Sequence, residues 1–210
     1  MSTPTSRRTT AGGFSPDGRP VTRVSKLATA LVTALCVVVA GAAVQFGPVL
    51  TEQDIRRGVV GEPMQFYRAT VTVVDVEPAT QVADPYGDSS VKSKGLLLAV
   101  TVRMDAPEEE QRISADKLHA AEDMVFDSVD YGSMSVPAGF SGTSTFVYEV
   151  NPRLVDDLYL EVGDGAIFFA YPQVLQIDLG IGAENADAWA RAGAGQEVEP
   201  SSSPELKAIP

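Results

Sequence analysis

His119 is the single histidine of the chain. Neither a histidine-based catalytic triad nor a multi-histidine zinc site can therefore be assembled within it. The imidazole sits in Lys117-Leu118-His119-Ala120-Ala121, a strand pattern that puts Leu118 and Ala120 on one face and leaves His119 solvent-facing or cross-strand. Ser141-Gly142-Thr143-Ser144-Thr145 offers hydroxyls beside a glycine, but no base adjoins them and the surroundings of a nucleophile elbow are missing. It reads as the start of a strand. Glu108-Glu109-Glu110 lacks the alternating oxygen spacing of a calcium loop and reads as a solvated acidic turn. Acids are plentiful enough for a glycosidase-type carboxylate pair, yet no spacing singles one out. No glycine-rich phosphate loop or dinucleotide fingerprint follows any strand. These residues predict a protein that is not an enzyme and holds no cofactor or metal.

The formal net charge of −12 is unevenly spread. Residues 1–26 carry Arg7, Arg8, Arg19, Arg23 and Lys26 against Asp17, so everything after Lys26 sums to about −16. A surface that acidic repels phosphate backbones, which argues against nucleic acid as a partner. Cys36 is the lone cysteine and lies inside an apolar run, so the rest of the chain has no disulfide to draw on and its stability must come from a core.

From Leu27 to Thr51 no residue is charged, and Leu31, Val32, Leu35, Val37, Val38 and Val39 make the run strongly apolar. That length suffices for a helix to cross about 30 Å of hydrocarbon. Basic residues before it and Glu52 and Asp54 after it predict a cytoplasmic N-terminus and an extracytoplasmic remainder, anchored in the cell membrane by a transmembrane helix over 27–50. Ala40-Gly41-Ala42 resembles a signal-peptide cleavage site, but the uncharged run continues through Val44, Phe46, Val49 and Leu50, as an uncleaved anchor would.

Residues 51–62 show no apolar periodicity and read as a spacer. From Met64 onward, short stretches rich in Val, Thr, Phe and Tyr recur between Pro, Gly, Asp and Ser clusters. Expected strands are Gln65–Val76, Gly95–Met104, Lys117–Ala121, Met124–Asp127, Gly142–Val150, Leu158–Val162 and Val174–Leu179. Val71 and Val73 alternate with Thr70, Thr72 and Val74, which predicts one buried and one wet face. Gln81–Lys94, containing Asp84-Pro85-Tyr86-Gly87-Asp88, has no periodicity and reads as a mobile loop that could carry function or, more plainly, as a solvated hairpin connection. Gly139, after Pro137-Ala138, is expected in a turn that needs positive φ.

The order of features over about Val59 to Gly182 resembles the immunoglobulin-like extracytoplasmic domains of uncharacterised Gram-positive, actinobacterial envelope proteins. It is similar in fold to a secreted mycobacterial immunoprotective antigen. The residues that carry this are Val59-Val60-Gly61-Glu62, Ser93-Lys94-Gly95-Leu96-Leu97-Leu98-Ala99-Val100-Thr101-Val102, Val136-Pro137-Ala138-Gly139-Phe140, Phe146-Val147-Tyr148-Glu149-Val150 and Ile177-Asp178-Leu179-Gly180-Ile181. Glu122-Asp123 stands where a tighter Asp-Gly-like turn would be usual. The resemblance implies an all-β, immunoglobulin-like antiparallel sandwich over 63–183, with no catalytic residues to carry over.

The segment 184–210 is rich in Ala, Gly, Glu, Ser and Pro and is expected to be disordered, apart from a helical turn that Asn185 could cap and that carries Trp189. That turn either packs on the sandwich or offers a hydrophobic anchor to a partner, and Trp189 and Tyr86 are the candidate partner contacts. The functional expectation is a membrane-anchored, non-catalytic binding or accessory module of a bacterial envelope complex, with a membrane-resident protein as partner. The competing readings are a carboxylate-dependent enzyme acting on cell-wall polymers and a spacer or surface antigen without a specific ligand.

Overall fold

The computed structural model describes residues 53–83, 90–121, 123–129, 132–164 and 172–210. The leader over 1–26, the expected transmembrane helix over 27–50 and Tyr86 lie outside these. Among the described residues no helix is long and apolar enough to cross a membrane.

Among the described residues twelve strands and one helix follow in chain order: β1 (Asp54–Val59), β2 (Met64–Phe66), β3 (Ala69–Ala83), β4 (Ser90–Ala106), β5 (Gln111–His119), β6 (Val125–Asp127), β7 (Ser133–Val136), β8 (Phe140–Val150), β9 (Leu158–Gly163), β10 (Gln173–Ile181), α1 (Ala186–Ala192), β11 (Glu197–Val198) and β12 (Glu205–Ala208). They form two sheets packed as a sandwich. Sheet A runs β1-β10-β9-β5-β6, with β7 also on β5, and sheet B runs β11-β3-β4-β8-β12, with β2 on β3. β1 on β10 and β11 on β3 are parallel, and the other pairings are antiparallel.

The period-2 pattern explains the core. Val71, Val73, Leu96, Leu98, Val100, Val102 and Met104 point inward from sheet B, and Ile113, Leu118, Leu160, Val162, Leu175 and Ile177 point inward from sheet A. Each such side chain contributes about 1.5–3 kcal/mol on burial, which is how the domain manages without a disulfide. Tyr148, fully buried on β8, ties the sheets together by donating its hydroxyl to the carbonyl of Ala115 on β5. Val74 is the extra residue of a bulge between the Val73–Val102 and Asp75–Thr101 pairs, and it lies exposed.

Two expected turns take the backbone form their residues favour. Phe140 donates its N–H to the Pro137 carbonyl, with Gly139 at φ +81° between them, the geometry of a type II turn. Between β5 and β6 the chain reverses with Asp123 at φ +59°, so an aspartate adopts the left-handed conformation that glycine usually supplies.

Three expectations are corrected. The spacer over 51–62 contains β1, whose side chains are almost all exposed and which is held by backbone pairing to β10. The strands expected to end at Val76 and to begin at Gly95 run further into Gln81–Lys94, in keeping with the hairpin reading of that stretch, because β3 and β4 stay paired through Gln81–Lys92, Val82–Val91 and Ala83–Ser90. The segment 184–210 is not disordered: it forms α1, β11 and β12, because backbone hydrogen bonds to two sheet edges and the burial of Val198 supply what its composition lacks. Asn185 does stand at the start of α1 without capping it. Its side chain instead accepts from Gly182 N–H at 3.0 Å and donates to the Gly180 carbonyl at 2.9 Å.

Candidate functional site

On pleated strands, residues of one parity share a face, and registered neighbours line up across it. On the outer face of sheet A the pairings produce two rows. One is Arg57–Gln176–Glu161–Lys117–Asp127, and beside it runs Val59–Asp178–Tyr159–His119–Val125. The first row is polar with alternating sign. The second puts an aromatic pair between two exposed valines, Val59 at 53% and Val125 at 44% exposure. An unbroken ladder of this kind crosses five strands without depending on any loop.

The details fix the side chains in place. Arg57 Nε donates to Gln176 Oε1 at 3.3 Å. The His119 ring stacks on Tyr159 with centroids 5.0 Å apart and planes 7° from parallel. His119 Nε2 lies 3.4 Å from Glu161 Oε2, but the approach is out of line, and this buried nitrogen makes no hydrogen bond among the described residues. His119 is thus a cross-strand residue on the outer face of sheet A. Burial pushes the Tyr159 phenol above its ordinary value, with the Glu161 and Asp123 charges adding to the rise and Arg57 opposing it. At neutral pH the ring therefore presents a protonated hydroxyl, a donor as well as an acceptor.

A groove of about 810 Å³ opens at one end of this face, lined by Arg57, Gly58, Val59, Glu62, Ala120, Ala121, Asp157, Tyr159, Gln176 and Asp178. A bulge in β10 between Asp178 and Ile181 aims one of its carboxylates: Gly180, at φ +67°, donates its N–H to Asp178 Oδ1 at 2.8 Å. Bulges commonly re-aim a side chain in this way. Asp157 on the rim takes φ +47°. Glu62, Asp157 and Asp178 outnumber the lone guanidinium of Arg57, so the groove favours a cationic or neutral guest that can donate hydrogen bonds and stack on an aromatic ring. None of the lining residues is a serine, threonine, cysteine or lysine; the reactive side chains that line the groove are the carboxylates of Glu62, Asp157 and Asp178 and the Tyr159 phenol.

No protein-family profile and no curated protein matches the sequence. Similar solved chains include an uncharacterised β-sandwich protein from Clostridium difficile (12% identity, 60% of this chain and 95% of that one, TM-score 0.37). The yjhA protein of Bacillus subtilis (12%, 58% and 99%, 0.40) and the secreted protein MPT63 of Mycobacterium tuberculosis (13%, 58% and 96%, 0.38) are others. The likeness is partial. The sandwich itself is described by the strand pairing above.

The residues singled out from sequence fall elsewhere. Trp189 is half-buried on α1 and packs against the main core. The acidic turn is exposed, with Arg68 Nη1 at 3.5 Å from Glu109 and 3.9 Å from Glu108, while Glu110 accepts from Ser135 at 2.8 Å. No group of three or more His, Cys, Asp and Glu among the described residues could hold a metal. Ser141–Thr145 opens β8, and its hydroxyls serve pairing: Thr145 Oγ1 lies 3.0 Å from Thr101 Oγ1. The groove residues Arg57, Tyr159, Gln176 and Asp178 went unremarked in the sequence. The available signal was the outward parity of polar residues along β9 and β10.

Proposed function

We propose that this chain is a membrane-anchored, non-catalytic binding or accessory module of a bacterial envelope complex, and that it presents the outer face of sheet A to a membrane-resident protein. The observation that carries this reading is the pair of registered rows, one charged and one aromatic, that cross five strands and run into the groove. A flat, rigid face with an aromatic pair, exposed valines and a polar border has the anatomy of a recognition surface.

The domain is read as immunoglobulin-like because β3, β4 and β8 face β10, β9 and β5, the relation of strands A, B and E to G, F and C. On that correspondence the recognition face is the G-F-C sheet, extended by β1 beside G. The anchor reading rests on the uncharged run from Leu27 to Thr51. With β1 beginning at Asp54, only Thr51–Gln53 separate Leu50 from the strand that supplies Arg57 and Val59. Such a link reaches about 10–14 Å, and short tethering raises the effective concentration toward a membrane partner to roughly millimolar.

The test places a photo-crosslinking residue at Arg57 or Asp178 on sheet A and at Arg103 on sheet B in native membranes. The reading expects one membrane protein captured from the sheet A positions alone, with capture lost on Tyr159→Glu. Releasing the domain by replacing residues 1–50 with a cleavable signal peptide should reduce that capture, and undiminished capture would count against a membrane-resident partner.

A further inference from the structure

The last segment of the chain is seated on sheet B in an unusual way. Its two short strands lie at opposite edges: β11 on β3, through Glu197–Gln81 and Val198–Val82, and β12 on β8, through Glu205–Thr143 to Ala208–Phe140. Between them the chain crosses the outer face.

Leu97, Ala99 and Val147 have the opposite parity to Leu98, Val100 and Phe146, so they point away from the main core, and with Ala79 they form a second apolar cluster whose lid is Val198. The remaining contacts are largely backbone. Ser201 N–H donates to the Thr145 carbonyl at 3.0 Å, Thr145 N–H donates to Ser201 Oγ at 2.9 Å, and Ile209 N–H donates to the Gly139 carbonyl at 2.9 Å. Among residues 194–210, Val198 is the one buried side chain, and the four side chains of β12 are all exposed. A long segment is thus held by one aliphatic anchor, one serine hydroxyl and hydrogen bonds that any extended backbone offers, which is the chemistry of recognition by β-strand addition.

We propose that residues 194–209 form an exchangeable strap, and that the face of sheet B beneath it is a binding site which accepts the same segment from a second copy of the chain. Because the seat reads one aliphatic side chain, one hydroxyl and a backbone, all of which a second copy carries, it does not distinguish a strap supplied in cis from one supplied in trans. In the free chain the cis strap wins, since tethering presents it at about millimolar effective concentration. When the cis strap is weakened, the site opens. This surface is separate from the face of sheet A proposed above to bind a partner, and the two can fail independently.

The test uses the full chain and a fluorescent synthetic peptide with the sequence of residues 194–210. Val198→Asp in the chain should release the cis strap, and that variant should bind the wild-type peptide at least tenfold more tightly than the wild-type chain does. A peptide carrying the same substitution should bind neither. A Val198→Asp chain that keeps its circular dichroism spectrum but binds the peptide no better than wild type would overturn the proposal. Should the variant not fold, hydrogen exchange of the wild-type chain decides. The amides of Gly195, Ser201 and Ile209 should exchange at least tenfold faster than that of Val100 in β4, and equal rates would mean that the strap opens only with global unfolding and is not exchangeable.

Discussion

Replacing Gly139 isolates the conformational cost of one turn. The residue sits at φ +81°, and a Cβ built there meets no heavy atom within 4 Å, so steric clash with the surroundings drops out and only the backbone preference remains. A left-handed conformation costs an ordinary L-residue about 1–2 kcal/mol, and a β-branched one more, because its second γ-substituent crowds the backbone. Gly139→Ala should then cost about 1 kcal/mol and Gly139→Val about 2 kcal/mol, while Gly139→Asn should cost least, since asparagine tolerates this region. The loss propagates, because Gly139 N–H donates to the Ala106 carbonyl at 2.8 Å and its own carbonyl takes Ile209 N–H, so the turn joins the end of β4 to the end of the strap. For a domain of about 160 residues each kcal/mol moves Tm by roughly 2–4 °C, so Val should lower it by about 4–8 °C in a thermal melt. The order Asn, Ala, Val is the diagnostic feature. A stabilised Gly139→Ala, as expected where φ is compatible with a side chain, would refute the reasoning.

Tyr148→Phe should cost about 1–3 kcal/mol, seen as a lower urea midpoint at unchanged m, because it leaves the Ala115 carbonyl without its buried donor. The Ser93 hydroxyl, with the backbone N–H groups of Gly95 and Lys94 and the Lys94 charge, holds the Glu149 carboxyl below its ordinary 4.5 against the opposing effect of burial. The ionised form thus adds stability that is complete above about pH 4.5 and is lost as pH falls through the lower folded value, so Glu149→Gln should flatten the acid limb of stability measured from pH 6 to 3. The raised phenol of Tyr159 has the opposite sign: its stability is present below pH 10 and is lost as pH climbs past that, so Tyr159→Phe should flatten the alkaline limb. A fragment cut to Gly61–Gly182 lacks β1, α1, β11 and β12 and should melt below residues 53–210, with reductant affecting neither because Cys36 lies outside both.

Sequence alone revealed the strands that bury side chains and hid those that do not. Val71, Val73, Val100 and Val102 alternate with polar neighbours because the core lies on one side, and β8, β9 and β10 were visible for the same reason. β1 and β12 show no such pattern: their side chains are mostly exposed, and strands held by backbone pairing at an edge leave no periodic signal. β7 does alternate, with Met134 and Val136 buried, but four residues are too few to separate from the surrounding polar turn. The groove was the least legible feature. Arg57, Tyr159, Gln176 and Asp178 come from three strands, of which β1 lies far in the chain from β9 and β10, and only the register of β1, β10 and β9 brings them side by side. His119 is the exception, because its parity opposite Leu118 and Ala120 already implies a solvent-facing or cross-strand position, and the register puts it beside Tyr159.

The central claim, that the outer face of sheet A is the recognition face, is tested most directly by site-specific photo-crosslinking in native membranes at Arg57, Asp178 and Arg103. The account predicts a single membrane-protein adduct from Arg57 and Asp178 that disappears with Tyr159→Glu and never forms from Arg103. Equal adducts from both faces, or an adduct that survives Tyr159→Glu, would contradict it.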